Sequence, residues 1–409
     1  MYTEITKCRI SGSSNLVQVL SLGEQFLTGV FPASKEQVVT KGPVDMVWCP
    51  DSGLVQMKQS YSLDEMYGDN YGYRSGLNQS MVNHLQNKVN MLLRKVQTKP
   101  GDIVLDIGSN DATSLKCYPS YMRRIGIDPT GKKFKEYYTD DISLVPDFFT
   151  ADNFRKIFPD ERAVIVTSIA MFYDLEDPVK FAADIESILA ENGIWHFEQS
   201  YLPSMLRTNS YDTICQEHLE YYSLIAVKYI LEKANLRIID IELNDINGGS
   251  FAVTAAKKSS SLKSNDAVIN WMLEEEIKMG LNSEKPYREF AERVAEHKAS
   301  LISLLDQLKN DGKKIIGYGA STKGNVLLQY CGIGTQYLDC IAEVNEQKFG
   351  SYTPGTLIPI VSETEAKAMK PDYLFVLPWH FRNNILAREK DFRAAGGKFI
   401  FPLPFIEIV

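Results

Sequence analysis

The chain has no apolar run approaching the roughly 20 residues that a membrane-spanning helix requires, which argues against a membrane protein. Positive charge is not in excess. Lys and Arg number 44 against 52 Asp and Glu, and the net charge of −8 argues against non-specific nucleic-acid binding. The opening Met1-Tyr-Thr-Glu-Ile5 has no basic stretch followed by an apolar core, so no secretory signal is expected. The 6 cysteines are scattered and form no disulfide framework, which fits reduced thiols and a cytoplasmic setting. No internal repeat or low-complexity segment is present. A length of 409 residues predicts two or three domains, and 44% hydrophobic with 23% charged residues is the composition of a globular protein.

Glycine is scarce where it would matter most. Residues 103–112 read Ile-Val-Leu-Asp-Ile-Gly-Ser-Asn-Asp-Ala, and Arg124-Ile-Gly-Ile-Asp128 follows. Each apolar run predicts a buried parallel strand, and each strand ends in an aspartate, Asp106 and Asp128. This is the pattern of a nucleoside site at the switch point of an open α/β sheet, with Asp128 placed to accept bonds from ribose hydroxyls. A dinucleotide site needs a G-x-G-x-x-G turn for its pyrophosphate. Here Gly108 stands alone, and Asn110 and Asp111 fill the loop. Acid and amide groups suit a cationic amino-acid moiety, and the Val104-Leu-Asp-x-Gly108…Asp128 signature resembles the S-adenosylmethionine site of a class I methyltransferase, which makes that the expected cofactor.

Along the chain, residues 1–60 predict a small β-rich module, with strands around 16–22, 46–49 and 54–57. Cys8-x-x-Ser11 and Cys49-x-x-Ser52 have the spacing of two zinc knuckles, each with its second cysteine replaced by serine. A neutral hydroxyl is a poor substitute for a thiolate in a tetrahedral zinc site, so a zinc ribbon that has lost its metal is expected. A Gly- and Tyr-rich loop (67–80) and an amphipathic helix follow. From about 100 to 257, strands at 103–107, 124–127, 163–168, 193–197 and 251–256 alternate with helical stretches, as in a doubly wound sheet. Residues 258–310 predict connecting helices. A second Rossmann-like domain is expected over 311–409. It opens on Lys313-Lys-Ile-Ile-Gly-Tyr-Gly-Ala-Ser-Thr-Lys-Gly-Asn325 and continues with strands at 338–341, 373–377 and 398–401. Two such domains suggest two nucleotide-bearing ligands.

Longer blocks narrow the reading. Leu22-Gly-Glu-Gln-Phe-Leu-Thr-Gly-Val-Phe-Pro32, Tyr71-Gly-Tyr-Arg-Ser-Gly76, Phe197-Glu-Gln-Ser-Tyr201, the segment Asn209 to Tyr222, Gly319-Ala-Ser-Thr-Lys-Gly-Asn325 and Leu377-Pro-Trp-His-Phe381 resemble the sugar C-methyltransferases over nearly the whole chain. That resemblance implies a zinc-binding N-terminal module, a central class I methyltransferase domain and a C-terminal Rossmann-like domain. It also implies methylation of a carbon in a nucleotide-linked 4-keto-6-deoxyhexose. Ser11 and Ser52 depart from the family pattern at the metal, not at the fold.

Transfer of a methyl group to carbon needs a carbanion equivalent. A ketone supplies one, because a positioned base can remove the adjacent proton to give an enolate. By resemblance the base is His218, with Glu217 beside it. Tyr71, Tyr73 and Tyr222 are the candidate donors to the enolate oxygen. A family member carries a tyrosine three residues before the histidine, where this chain has Cys215, a weak donor. For the donor, Asp106, Gly108 and Asn110 should approach the methionine portion and Asp128 the ribose. Asp147, Phe148, Met171 and Phe172 should border the adenine. For the acceptor's diphosphate the expectation is Ser321, Lys323, Gly324 and Asn325, at a Gly-rich turn opening a helix. His196 and Glu198, near a strand end, are further acceptor candidates. His380 could contact the nucleotide base or close a domain interface. Carbon 3 is preferred over carbon 5. An O- or N-methyltransferase and a non-catalytic sugar-nucleotide-binding protein remain alternatives. The expected partner is the sugar nucleotide, with no nucleic acid or membrane, and the chain acting as monomer or homodimer.

Overall fold

The computed structural model describes residues 2–62 and 74–409. The chain forms the expected mixed α/β fold, built on three main sheets. The N-terminal module contains β1 (Tyr2–Glu4), β2 (Val17–Phe26), β3 (Lys41–Trp48), β4 (Val55–Met57) and β5 (Gln59–Tyr61). The central domain contributes β6 (Ile103–Ile107), β7 (Arg123–Ile127), β8 (Ile142–Val145), β9 (Ala163–Ile169), β10 (Leu189–Ser200), β11 (Glu220–Tyr221), β12 (Leu236–Asn244) and β13 (Ser250–Lys257). Its sheet runs β12-β13-β10-β9-β6-β7-β8, with β13 antiparallel to both neighbours and the other pairs parallel. All five residues of β6 are buried, because helices cover both faces of a parallel sheet and its strands need apolar side chains on each.

The C-terminal sheet is β16-β15-β14-β17-β18-β19. It is made from β14 (Ile315–Tyr318), β15 (Ile341–Glu343), β16 (Ile360–Ser362), β17 (Tyr373–Val376), β18 (Lys398–Phe401) and an antiparallel edge strand, β19 (Glu407–Ile408). The 26-residue helix Lys285–Asn310 turns Tyr287, Phe290, Val294, Leu301, Leu305 and Leu308 to one core shared by the N-terminal and C-terminal sheets. Helix Asp266–Lys278 instead buries Ile269 and Met272 in the central domain. The stretch read as a uniform connection thus divides between two cores.

The N-terminal module is not self-contained. β11, from the central domain, pairs antiparallel with β4 and completes a sheet ordered β11-β4-β3-β2. Its two knuckles pack against the central domain through Cys8, Ile10, Cys49 and Leu54. The segment after β2 reaches the C-terminal domain. Phe26 N–H donates to Gln329 Oε1 at 2.7 Å, and Asn325 Nδ2 donates to the Thr28 carbonyl at 2.8 Å. Gln216 Nε2 bonds the Gln25 and Phe26 carbonyls from the other side, each at 3.3 Å. Among the described residues no helix is long and apolar enough to cross a membrane.

Candidate active site

A cavity of about 490 Å³ opens at the carboxyl ends of β6, β7, β9 and β10. After β6 the chain turns through Gly108, at φ +72°, and Asn110, at φ +48°. Asn110 N–H donates to Asp128 Oδ2 at 2.7 Å, while Asp128 Oδ1 accepts from Thr130 N–H (2.7 Å) and Oγ1 (2.6 Å). The Asp128 carboxylate is therefore fixed before any ligand arrives. Asp106 lies beside it, and burial pushes its carboxyl up to about 7, with the Asp128 charge adding to the effect and a bond from Thr167 opposing it. A cation placed against Asp106 would restore its ionised form.

Glu198, at the end of β10, accepts from His84 Nε2, Lys88 Nζ (3.0 Å) and Asn244 Nδ2 (2.8 Å). Burial would raise its carboxyl, but the His84 bond and the Lys88 charge outweigh that and hold it at about 2. The cavity wall carries the carboxyl groups of Asp106, Asp128, Asp174, Glu176 and Glu198, and no Lys, Arg or His among the described residues. Gln199 also lines it, and both atoms of its buried amide lack hydrogen-bond partners among the described residues. An acidic wall with an orphaned amide fits a sulfonium and an α-ammonium group. The apolar side is formed by Ile127, Pro129, Phe148, Phe149, Met171 and Phe181, which suits a purine ring. Bound there, S-adenosylmethionine would supply an electrophilic methyl group.

Two of the residues expected at the adenine are elsewhere. Phe172 is fully buried and stacks on Tyr222 with centroids 5.2 Å apart, inside an aromatic core with Trp195 and Phe197. Asp147 turns back to its own loop, accepting from Phe148 N–H and Asn153 Nδ2. Asp111, next to Asn110, is likewise spent on the chain, receiving Gly76 N–H at 3.0 Å.

A small chamber adjoins this cavity through two shared walls, Tyr173 and Ser200, and contains His218, Thr213, Glu220 and Tyr221. His218 Nδ1 lies 2.9 Å from the Thr213 carbonyl, an acceptor only, so Nδ1 carries the hydrogen and Nε2 keeps its lone pair. Burial, helped by the Lys323 charge, lowers the imidazole to about 4, although the Thr213 bond favours the proton. The ring is neutral at physiological pH. Glu217 does not serve it. Its carboxyl turns to Cys215 and to the backbone at Gly29, and burial raises it to about 7. Tyr222, a candidate donor, is a core residue whose hydroxyl meets the Phe172 carbonyl at 3.5 Å. Its neighbour Tyr221 borders the chamber instead, its buried hydroxyl without a hydrogen-bond partner. Tyr71 and Tyr73 lie outside the described residues.

The acceptor candidates also separate. Ser321 caps its own helix, Thr322–Cys331, by accepting from Gly324 N–H at 3.0 Å. Asn325 is committed to Thr28, and Gly324 packs against Leu377. These three residues build the domain and offer no open cradle. His196 sits inside the sheet, its Nδ1 3.0 Å from Thr254 Oγ1 and its ring held at about 3 by burial. Glu198 belongs to the donor cavity. His380 is half-buried, and burial together with the Lys323 charge lowers its ring to about 3. Lys323 crosses the domain boundary to the Asn247 carbonyl at 2.9 Å. Sequence reading missed Tyr173, Glu220 and Tyr221. The first followed directly on Met171 and Phe172, and the other two lay inside the block that carries His218.

At the zinc position, Cys8 Sγ lies 3.3 Å from Ser52 Oγ, and Ser11 Oγ lies 3.5 Å from Cys49 Sγ. Among the described residues no three His, Cys, Asp or Glu side chains gather as a metal site. Two thiols and two hydroxyls do not fit a structural zinc.

Sheet order, strand-end aspartates and acidic cavity define a class I methyltransferase. Sequence families agree along the chain: a zinc-binding domain over residues 8–67, a methyltransferase domain over 81–241 and a C-methyltransferase C-terminal domain over 245–404. The C-methyltransferase NovU of Streptomyces niveus is 31% identical over 404 residues, covering 98% of this chain and 96% of that protein. The chain belongs to the S-adenosylmethionine-dependent C-methyltransferase family. Solved structures overlap it in part. A methyltransferase bound to the Haloferax volcanii Trm112 activator is 16% identical, with a TM-score of 0.36 over 44% of this chain and 94% of that one. A Bacillus halodurans C-125 methyltransferase is 12% identical, with a TM-score of 0.33 over 43% of this chain and 100% of that one.

Proposed function

We propose that the chain methylates carbon 3 of a nucleotide-linked 4-keto-6-deoxyhexose through an enolate, with His218 as the base. One observation carries this reading. The Thr213 carbonyl fixes the His218 tautomer so that Nε2 can accept a proton, in a chamber sharing Tyr173 and Ser200 with the donor cavity. Two lining residues common to the chamber and the cavity support a near-attack arrangement of base and methyl donor. A carbon acid next to a ketone needs such a base, whereas an alcohol or amine acceptor does not require a C–H proton to be removed.

Incubation with 4-keto-6-deoxy sugar nucleotides in D₂O, followed by NMR of the recovered acceptor and of the product, tests the proposal. Deuterium at carbon 3 of the recovered acceptor, and a new methyl on carbon 3 of the product, are expected. Methyl on oxygen or nitrogen overturns the enolate route, and methyl on carbon 5 overturns the assigned position. His218→Asn should lower turnover about 10²-fold or more while both ligands still bind. Turnover near wild type would remove His218 as the base.

A further inference from the structure

Lys323 begins the helix that opens the C-terminal domain, yet its ammonium points away from the Gly-rich turn. It donates across the domain boundary to the carbonyl of Asn247, a residue at φ +56° that lines the donor cavity. The neighbouring Gly248 abuts the Trp379 ring, whose Nε1 donates to Asp212 Oδ2 at 2.7 Å. Asp212 Oδ1 and His380 Nδ1 are buried without hydrogen-bond partners. Burial disfavours the Lys323 charge, which Asp212 and Cys215 favour, and burial is also what chiefly lowers the His218 and His380 rings, with the Lys323 charge adding to it. The Lys323 ammonium therefore sits against the loop that lines the donor cavity, on the boundary where Trp379 bonds Asp212, the neighbour of the Thr213 that holds His218.

A phosphate anchor at this helix would face the N–H groups of its first turn. Lys323 faces the donor wall, and the Gly324 N–H is already taken by Ser321. We infer that the Lys323 ammonium receives the oxygen charge that develops as the acceptor is deprotonated, and that it is not a diphosphate anchor. This rests on the enolate reading above. The C–H bond beside the ketone breaks and its proton passes to His218 Nε2. The electron pair forms the C=C bond, and the carbonyl π pair moves to oxygen, where Lys323 donates a hydrogen bond. The enolate carbon then bonds the methyl carbon as the sulfur–methyl bond breaks, its pair returning to sulfur. A fixed cation in a site shielded from water stabilises such an oxyanion far more than it stabilises the neutral ketone.

Lys323→Met and Lys323→Arg in the full chain test this. The readout is deuterium uptake into a 4-keto-6-deoxy sugar nucleotide in D₂O with S-adenosylhomocysteine bound, alongside steady-state methylation. The Met variant should lose exchange and kcat about 10²-fold, with acceptor KM and donor affinity unchanged, and Arg should recover part of the loss. Exchange at the wild-type rate in the Met variant overturns the inference. So does a raised KM, with weaker binding of free nucleoside diphosphate and kcat intact, because that pattern marks a phosphate anchor. If the Met variant fails to bind donor, Lys323→Gln, which retains a hydrogen-bond donor, is read by the same criteria. Wild-type enzyme that methylates without any exchange overturns the enolate reading itself.

Discussion

The ring of Tyr173 meets the His218 imidazole edge-on, with centroids 4.4 Å apart and planes inclined at 64°. The Thr213 bond fixes one side of the imidazole and Tyr173 braces its face. Tyr173 also walls the donor cavity, so it separates base from donor without isolating them. Tyr173→Ala should lower kcat by about tenfold through a looser base, a loss that steady-state kinetics would read. Donor affinity should fall less. An unchanged kcat would show that Thr213 alone positions the ring.

Gly29 lies against the Glu217 carboxyl, so a side chain at position 29 would have to displace it. A Cβ on Gly29 would overlap Glu217 Oε1, while the Gly29 backbone is not in the left-handed region. Gly29→Ala should therefore destabilise the fold by about 1–3 kcal/mol through overpacking alone. In a Glu217→Ala background most of that cost should vanish. Denaturant titration of the two single variants and the double variant gives the coupling, and additive effects would refute the contact.

His218 is lowered to about 4 by burial, with Lys323 contributing, against an ordinary value of 6.5. Its neutral form is thus present well below the usual histidine range. With S-adenosylmethionine saturating, so that Asp106 stays ionised, the acid limb of kcat/KM for the acceptor should be flat through 6.5 and fall only toward about 4. An inflection near 6.5 would contradict a buried base. For stability the sign is equally defined. Between 6.5 and about 4 the unfolded chain binds the His218 proton and the folded chain does not, so this residue costs stability as pH falls. His218→Gln should make the acid-side decline of Tm shallower.

The Cys8–Ser52 and Ser11–Cys49 pairs close the former knuckle on themselves. Purified protein should carry far less than one zinc per chain, and a chelator should leave Tm unchanged. Ser11→Cys combined with Ser52→Cys should bind about one zinc per chain, measured by elemental analysis. Near-stoichiometric zinc in the unaltered chain would overturn this account.

Strands whose residues are buried on both faces announced themselves as apolar runs, and β6, β7 and β9 lie where the pattern predicted. β12 did not, because Arg237, Asp240 and Glu242 interrupt it on its more open side. Within the site, the loop from Gly108 to Asp128 was legible because strand, turn and carboxylate are local. Phe172 and Tyr222 were misread because an aromatic residue at a strand end looks the same whether it faces a ligand or a neighbouring ring. The Gly-rich turn at 319–324 promised phosphate chemistry, but its groups satisfy a helix cap and a packed interface. Gly29 against Glu217, and Lys323 against a carbonyl 76 residues away, leave no local trace in sequence.

The stretch Gln25–Thr28 is bonded on one side to Gln216 and on the other to Asn325 and Gln329. It rivets the loop carrying His218 to the first helix of the far domain. Clamshell opening of the two halves would have to break these contacts. The small leading module thereby ties the two larger sheets together, through a strand it shares with one and backbone bonds to the other.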